Sequence, residues 1–288
     1  MASRKPPPIG SHVPVARGLA AGALPYAERV GAEAIQVFLS NPRGWKLSPG
    51  DPAQDAAFRE AIGRLRIPAF VHATYLVNFA TPDPPTLERS VESVRHTLRR
   101  AALVGARGVV VHTGSAVRPE RRTAALTQLR DAVLPLLDEL PVRGPRLLFE
   151  PTAGGGAPLC SRVDDLPAYL AALDDHPRTG VCLDTCHAFA AGHDLAKPGG
   201  VRATLDALGR AVGHRRLHLV HANDAKDPAG SFRDRHENIG AGLIGSEPFA
   251  ELLAHPAMRG VPVVVETPGR ESGHARDIVH LKELRADG

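Results

Sequence analysis

Residues 180–194, GVCLDTCHAFAAGHD, run from an apolar stretch into Asp184, Cys186 and His187 within four positions. A carboxylate and an imidazole three residues apart, at the end of a buried strand, can share a metal ion. A thiol beside an imidazole, Cys186 with His187, can instead act as nucleophile and base. The rest of the chain bears on that choice. Similar apolar runs end on His72 (IPAFVH), His112 (GVVVH), Glu150 (RLLFE), His221 (LHLVH) and Glu266 (VPVVVE). A further pair, Asp234 and His236, lies in SFRDRHENIG, where alternate residues of an extended loop lean the same way. These are nitrogen and oxygen donors. They favour metal chemistry and leave Cys182 and Cys186 as small buried fillers.

The candidate ligands are His72, His112, Glu150, Asp184, His187, His221, Asp234, His236 and Glu266. They are too many for one tetrahedral ion, which takes about four. Three ions need roughly twelve contacts, a number approached with bridging carboxylates and a bridging water. Imidazole mixed with carboxylate suits zinc, with manganese or iron as competitors. Burying so many polar groups together without a cation is costly.

Residues scattered from position 72 to 266 converge only if a repeating frame carries them. Eight short runs end at His12, Phe38, His72, His112, Glu150, Asp184, His221 and Glu266, at intervals of 26 to 45 residues. Each interval fits a strand, a helix and two loops. Between Pro85 and Gly105, Leu87, Val91, Val94, Leu98 and Ala102 recur at helical steps. Residues 121–140 repeat the pattern, with shorter versions near 163–174, 201–212 and 246–254. No linker divides the chain. This predicts a (β/α)8 TIM barrel in the α/β class, one domain over residues 9–288, after a disordered Pro-rich tail at 1–8. All strand C-termini then share one face, where such barrels build their sites. A doubly wound sheet lacks its glycine-rich first turn here. AGGGAP at 153–158 follows the fifth strand and reads as a loop that needs close backbone approach. His12 is placed as a support of the site and His193 within reach of substrate. His96, His176, His214, His255, His274 and His280 are read as surface residues.

No apolar run approaches the ~18 residues of a membrane helix, so no membrane partner is expected. The basic N-terminus has no apolar core behind it, unlike a secretory signal. Three cysteines make no disulfide framework and point to a reducing, cytoplasmic setting. A net charge of +4 permits a nucleic-acid partner without demanding one.

The segments FLSNPRGW, VHATYLVN, VVHTGS, FEPTAGGG, GVCLDTCHAFAAGHDL, HANDAK, DRHENIG and VVETP occur in that order across nearly the whole chain. Together they resemble the successive motifs of the endonuclease IV family of abasic-site endonucleases. The resemblance implies a barrel with three zinc ions. His72 and His112 hold one, and Asp184, His221 and Glu266 a second. Glu150 bridges these two as the catalytic carboxylate, and His187, Asp234 and His236 hold the third. It implies a monomer acting on double-stranded DNA with abasic sites or blocked 3′ ends. The phosphodiester 5′ to the abasic nucleotide is hydrolysed, leaving a 3′-hydroxyl and a 5′-deoxyribose phosphate, and blocked 3′ ends are cleaned. Rim loops supply the DNA contacts: Arg43, Trp45 and Lys46, then Tyr75, Leu76 and Asn78, with Lys226, Arg233 and Arg235 toward phosphates. An arginine with an aromatic or apolar wedge suits insertion where a base is missing. Extruding an unpaired nucleotide costs less than extruding a paired one. Pro151 and Ala116 depart from the family's common Asn and His, which touches hydrogen bonding around the ligands. A sugar isomerase of similar fold would use fewer metals, and a non-catalytic DNA binder would not need intact ligands.

Overall fold

The computed structural model describes residues 5–287. Its strands are β1 (Ile9–His12), β2 (Ile35–Phe38), β3 (Ala69–His72), β4 (Gly108–His112), β5 (Arg146–Glu150), β6 (Thr179–Asp184), β7 (Leu217–His221) and β10 (Val263–Val265). They close into a parallel barrel, each beside its sequence neighbours, with β10 completing the ring against β1. A small antiparallel pair, β8 (Asp224–Ala225) and β9 (His236–Glu237), sits between β7 and β10. The helices are α1 (Leu24–Arg29), α2 (Pro52–Leu65), α3 (Pro84–Leu103), α4 (Arg122–Asp138), α5 (Leu166–Ala171), α6 (Thr185–Ala190), α7 (Gly200–Val212), α8 (Ser246–Ala254) and α9 (Arg270–Asp287).

Strand periodicity explains how the barrel makes a site. Ala34, Phe70, Val110, Leu148, Cys182, Leu219 and Val264 form one buried cluster inside the barrel. Side chains two residues apart share a face. The next inward positions are therefore Gln36, His72, His112, Glu150, Asp184, His221 and Glu266, and on β1 Gly10 is followed by His12. An apolar layer thus carries a polar ring, with one residue from each strand. The alternate positions, among them Ile35, Val71, Val109, Leu147 and Val220, pack outward in a second cluster with Phe58, Leu98, Leu129 and Leu136 of the helices. Each fully buried Leu or Phe contributes about 1.5–3 kcal/mol to this shell.

Two helix starts are visible in the sequence. Asp51 caps α2 by accepting from Ala53 and Gln54 N–H, and Asp83 caps α3 by accepting from Thr86 N–H. The 163–174 expectation resolves into a 3₁₀ turn, Val163–Asp165, followed by the six-residue α5. Sequence patterning missed α1 and α6, both short, and also α2 and α9. Only Phe58 and Ile62 are large buried apolar residues on α2, and only Ile278 and Leu281 on α9, too few to mark a period.

Two expectations need correction. The expected tail includes residues that pack. Pro7 is buried, its carbonyl accepts from Arg285 at 2.8 Å, and the Pro8 carbonyl accepts from Val263 N–H at 2.8 Å. Residues 7 and 8 thus belong to the barrel edge, while residues 1–4 lie outside the described residues. Several histidines read as surface residues are not: His255 and His274 are buried, and His274 bridges Tyr26 Oη and the Thr267 carbonyl. No helix among the described residues is long and apolar enough to cross a membrane.

Candidate metal centre

His187 lies not in a loop, as expected from sequence, but in α6, the helix that Asp184 starts. Asp184 ends β6, and its Oδ1 accepts from His187 N–H at 2.9 Å as the N-cap. One carboxylate therefore ends the strand, starts the helix and fixes where the imidazole points. Across the sheet, Asp184 pairs in register with His221, and His112 with Glu150. Asp234 comes from the long β8–β9 connection, and His236 opens β9. Buried Asp224 holds that region by accepting from the backbone N–H of Ala225, Gly240, Gly242 and Ile244 at 2.8–3.0 Å.

Glu150 is the centre of the arrangement. Its Oε1 lies 3.1 Å from His187 Nδ1 and 3.2 Å from His221 Nδ1. Its Oε2 lies 3.3 Å from His72 Nε2 and 3.7 Å from His112 Nε2. His221 Nδ1 also faces Glu266 Oε2 at 3.4 Å and Asp184 Oδ2 at 3.8 Å. Asp234 reaches His187 Nε2 at 3.1 Å and His236 Nε2 at 3.0 Å. The structure thus gathers all nine candidate ligands into one cluster.

The donors fit cations. Two ligands on one tetrahedral zinc at 2.0–2.1 Å lie about 3.3 Å apart, within the spread just given. His236 Nε2 is buried and makes no well-formed hydrogen bond, although Asp234 Oδ1 is adjacent. Two donor atoms side by side at this spacing fit a shared ion. Groups drawn from His72, His112 and Glu150, and from His187, Asp234 and His236, have their donor atoms within 4.8 Å of one another.

Hydrogen bonds also present the ligands correctly. The Nδ1 of His72, His187 and His236 each meets a backbone carbonyl, of Ala73, Pro151 and Glu266 respectively. That leaves Nε2 turned toward the carboxylates, the usual outer support of metal-bound histidine. Pro151 therefore costs nothing at His187, because only its carbonyl is used. Ala116 is buried, and its N–H bonds the Ala157 carbonyl.

Charge is balanced among these groups. Burial works to raise Glu150, but His221 and hydrogen bonds from His187, His221 and His72 hold it well below the usual carboxylate range. Burial pushes Asp184 up and His112 down to about 4. Against its burial, the neighbouring carboxylates of Asp234, Asp184 and Glu266 push His236 up to about 9. Burial pushes the Cys182 thiol up to about 12 and also raises Cys186, the wrong direction for a nucleophile.

A proton-linkage prediction follows from His236. Its folded pKa lies above the ordinary 6.5, so its proton stabilises the apoprotein. That contribution is full below 6.5 and is lost as pH rises through about 9. Metal must displace this proton at neutral pH. Zinc uptake by the apoprotein therefore releases protons, and its affinity rises with pH toward about 9. Calorimetric zinc titrations in two buffers of different ionisation enthalpy count the protons, and zero release contradicts the prediction.

The rim residues separate into two groups. Arg43 and Lys46 are exposed, Trp45 is half-buried, and Tyr75 is 47% and Leu76 38% exposed. The others are engaged within the protein. Asn78 donates to the Ser115 carbonyl and accepts from Ser115 and Ala80 N–H, tying two loops together. Arg235 makes a bidentate pair with Asp227, Arg233 approaches the same carboxylate at 3.7 Å, and Lys226 lies 3.7 Å from Glu237. His193 is buried and accepts from Val163 N–H, so it does not face substrate. Sequence reading missed Phe232, 57% exposed beside Asp234. Its ring lies against Gly154, where a Cβ would collide with it. That is the close approach the glycine run signalled.

Residues 24–284 match a family described as a xylose isomerase-like TIM barrel. The chain is 58% identical over 279 residues to a probable endonuclease 4 of Streptomyces coelicolor, covering 96% of this chain and 95% of that protein. A probable endonuclease 4 of Halothermothrix orenii is 35% identical, with 97% and 99% covered. The crystal structure of endonuclease IV from Thermus thermophilus superposes with a TM-score of 0.85 at 36% identity, covering 98% of this chain and 100% of that one. A D-tagatose 3-epimerase-like protein, 20% identical with a TM-score of 0.67, shares the fold alone. With its full-length relatives named for that activity and its donor residues gathered on the barrel rim, the chain belongs to the endonuclease IV family.

Proposed function

We propose that the chain hydrolyses the phosphodiester 5′ to an abasic nucleotide in double-stranded DNA, leaving a 3′-hydroxyl and a 5′-deoxyribose phosphate, and that it also clears blocked 3′ ends. The observation that carries the reading is the set of donor groups joined through Glu150. Three zinc ions suit it. His72 and His112 would hold one ion, and Asp184, His221 and Glu266 a second. Glu150 would bridge the two, and His187, Asp234 and His236 would hold the third. Bound there, the ions supply water activated near neutral pH and positive charge against the phosphate.

The chain's own residues orient the substrate. Burial, then the charges of Glu266 and Glu150, raise the Tyr75 phenol, so it keeps its proton and can donate to a phosphate oxygen. Its ring stacks on His112 at 5.7 Å and meets Phe38 and His72 edge-on, which holds the ring beside two of the candidate ligands. Leu76 and Phe232 offer apolar surface to a gap in the base stack, and Arg43 offers charge to the backbone. The paired cations Lys226, Arg233 and Arg235 would have to exchange a carboxylate for a phosphate.

A nicking assay tests the reading. A duplex oligonucleotide carrying one tetrahydrofuran abasic analogue cannot undergo β-elimination, so any nick is hydrolytic. Incision is expected with zinc-loaded protein, is lost after treatment with a strong chelator, and returns on adding zinc. An intact analogue strand after exposure to fully loaded protein overturns the assignment.

A further inference from the structure

Gln36 is fully buried in β2, a polar residue in the strand IQVF. It occupies the inward ring position beside the ligands, yet no metal role falls to it. Its amide touches two ligands at once. Oε1 lies 2.9 Å from His221 Nε2, and Nε2 lies 2.6 Å from Glu266 Oε1 and 3.0 Å from His12 Nδ1. His12 Nδ1 is itself 2.9 Å from the same Glu266 oxygen.

The orientation of the amide is forced. A flip would set two oxygens 2.6 Å apart, Gln36 against the Glu266 carboxylate. The amide nitrogen must therefore donate to Glu266, and the amide oxygen must accept from His221. A neutral imidazole with its hydrogen on Nε2 has a bare Nδ1. That nitrogen faces Glu150 Oε1 at 3.2 Å, Glu266 Oε2 at 3.4 Å and Asp184 Oδ2 at 3.8 Å. Facing three carboxylate oxygens, that nitrogen needs a cation between them, a proton in the metal-free chain and a metal ion once one is bound. On the Glu266 side, Oε1 accepts from both Gln36 and His12, so only Oε2 is left for that cation.

We propose that Gln36, with His12, is the positioning residue of the ion site formed by His221, Asp184 and Glu266: it selects the His221 tautomer and the Glu266 oxygen that face the metal. The proposal rests on the metal reading above. His72, His187 and His236 take the same instruction from backbone carbonyls, which no substitution removes. His221 takes it from a side chain. One ion of the three is therefore open to selective weakening.

The test compares wild type with Gln36→Met, a change of similar volume that keeps neither bond. Elemental analysis after dialysis counts zinc per chain, competition with a chromophoric chelator gives affinities, and thermal melts of the metal-free chains check folding. A long-range ¹H–¹⁵N spectrum of the zinc-loaded wild type reads the His221 tautomer. Expected are three ions in wild type with His221 protonated on Nε2. In the variant one ion is held about 10- to 100-fold more weakly, the other two are unchanged, and the metal-free melt is unmoved. A variant that keeps all three affinities, or weakens all three alike, overturns the role of Gln36 and leaves the metal reading standing. A wild type that binds no zinc overturns both. Should the variant fail to fold, the wild-type spectrum decides: a hydrogen on His221 Nδ1 rejects the proposal, and one on Nε2 supports it.

Discussion

Glu150→Gln is expected to slow incision of the abasic analogue at least ~10³-fold while leaving duplex binding in place. Glu150 is the one residue whose two oxygens face four of the histidines, with His221 and His187 on Oε1 and His72 and His112 on Oε2. An amide of the same size keeps the packing but offers one acceptor and no charge. It cannot bridge two cations. Loss of the proposed bridge would remove several kcal/mol of transition-state stabilisation, and each 1.36 kcal/mol is tenfold in rate. The single-turnover rate is therefore expected to fall at least ~10³-fold. Gel-shift affinity for the duplex is expected to hold, because the rim loops bearing Arg43, Tyr75 and Leu76 lie on other strands. The metal-free protein shows a second effect. His187 and His221 are raised against their burial by surrounding charges that include Glu150. Removing one member of such a buried set costs about 3–5 kcal/mol, visible as a lower melting temperature before any metal is added. An incision rate within tenfold of wild type rejects the central role of Glu150.

The difference between what the sequence revealed and what it concealed is physical. His72, His112, Glu150, Asp184 and His221 were legible because each ends a short apolar run, and strand ends of a parallel barrel share a face. Glu266 lies one residue beyond β10 and was legible on the same ground. Gln36 was missed because reading the last residue of β2 selects Phe38, whereas the pleat turns position 36 into the ring. Counting two residues on from Ala34 would have found it. The histidines that need no metal, His193, His255 and His274, could not be sorted from sequence, because their partners are backbone groups and the side chains of Asp206 and Tyr26, far away along the chain. The same holds for Lys226, Arg233 and Arg235. A cation in a loop looks available until the fold sets Asp227 and Glu237 beside it.

Arg100→Ala is expected to destabilise the chain by about 3–5 kcal/mol, although Arg100 reads in sequence as an ordinary solvated residue of α3. The structure buries it. Its Nη2 donates to both oxygens of Asp55 on α2, at 2.9 and 2.8 Å, and its Nη1 donates to the Ser48 carbonyl at 3.0 Å. Gly50, with φ at +76°, passes so close that a Cβ there would collide with the guanidinium group. The guanidinium thus pins the segment that carries Arg43, Trp45 and Lys46 against two helices. Alanine leaves the Asp55 carboxylate buried without its partner and leaves a void beside Gly50. Chemical denaturation of the metal-free proteins measures the loss. Replacing both partners together, Asp55→Leu with Arg100→Leu, is expected to recover part of it, since the penalty lies in the stranded charge. If that segment grips DNA as proposed, loosening it is expected to raise KM for the abasic duplex more than it lowers kcat. An Arg100→Ala chain as stable as wild type contradicts the pinning role. A change confined to kcat separates Arg100 from DNA binding.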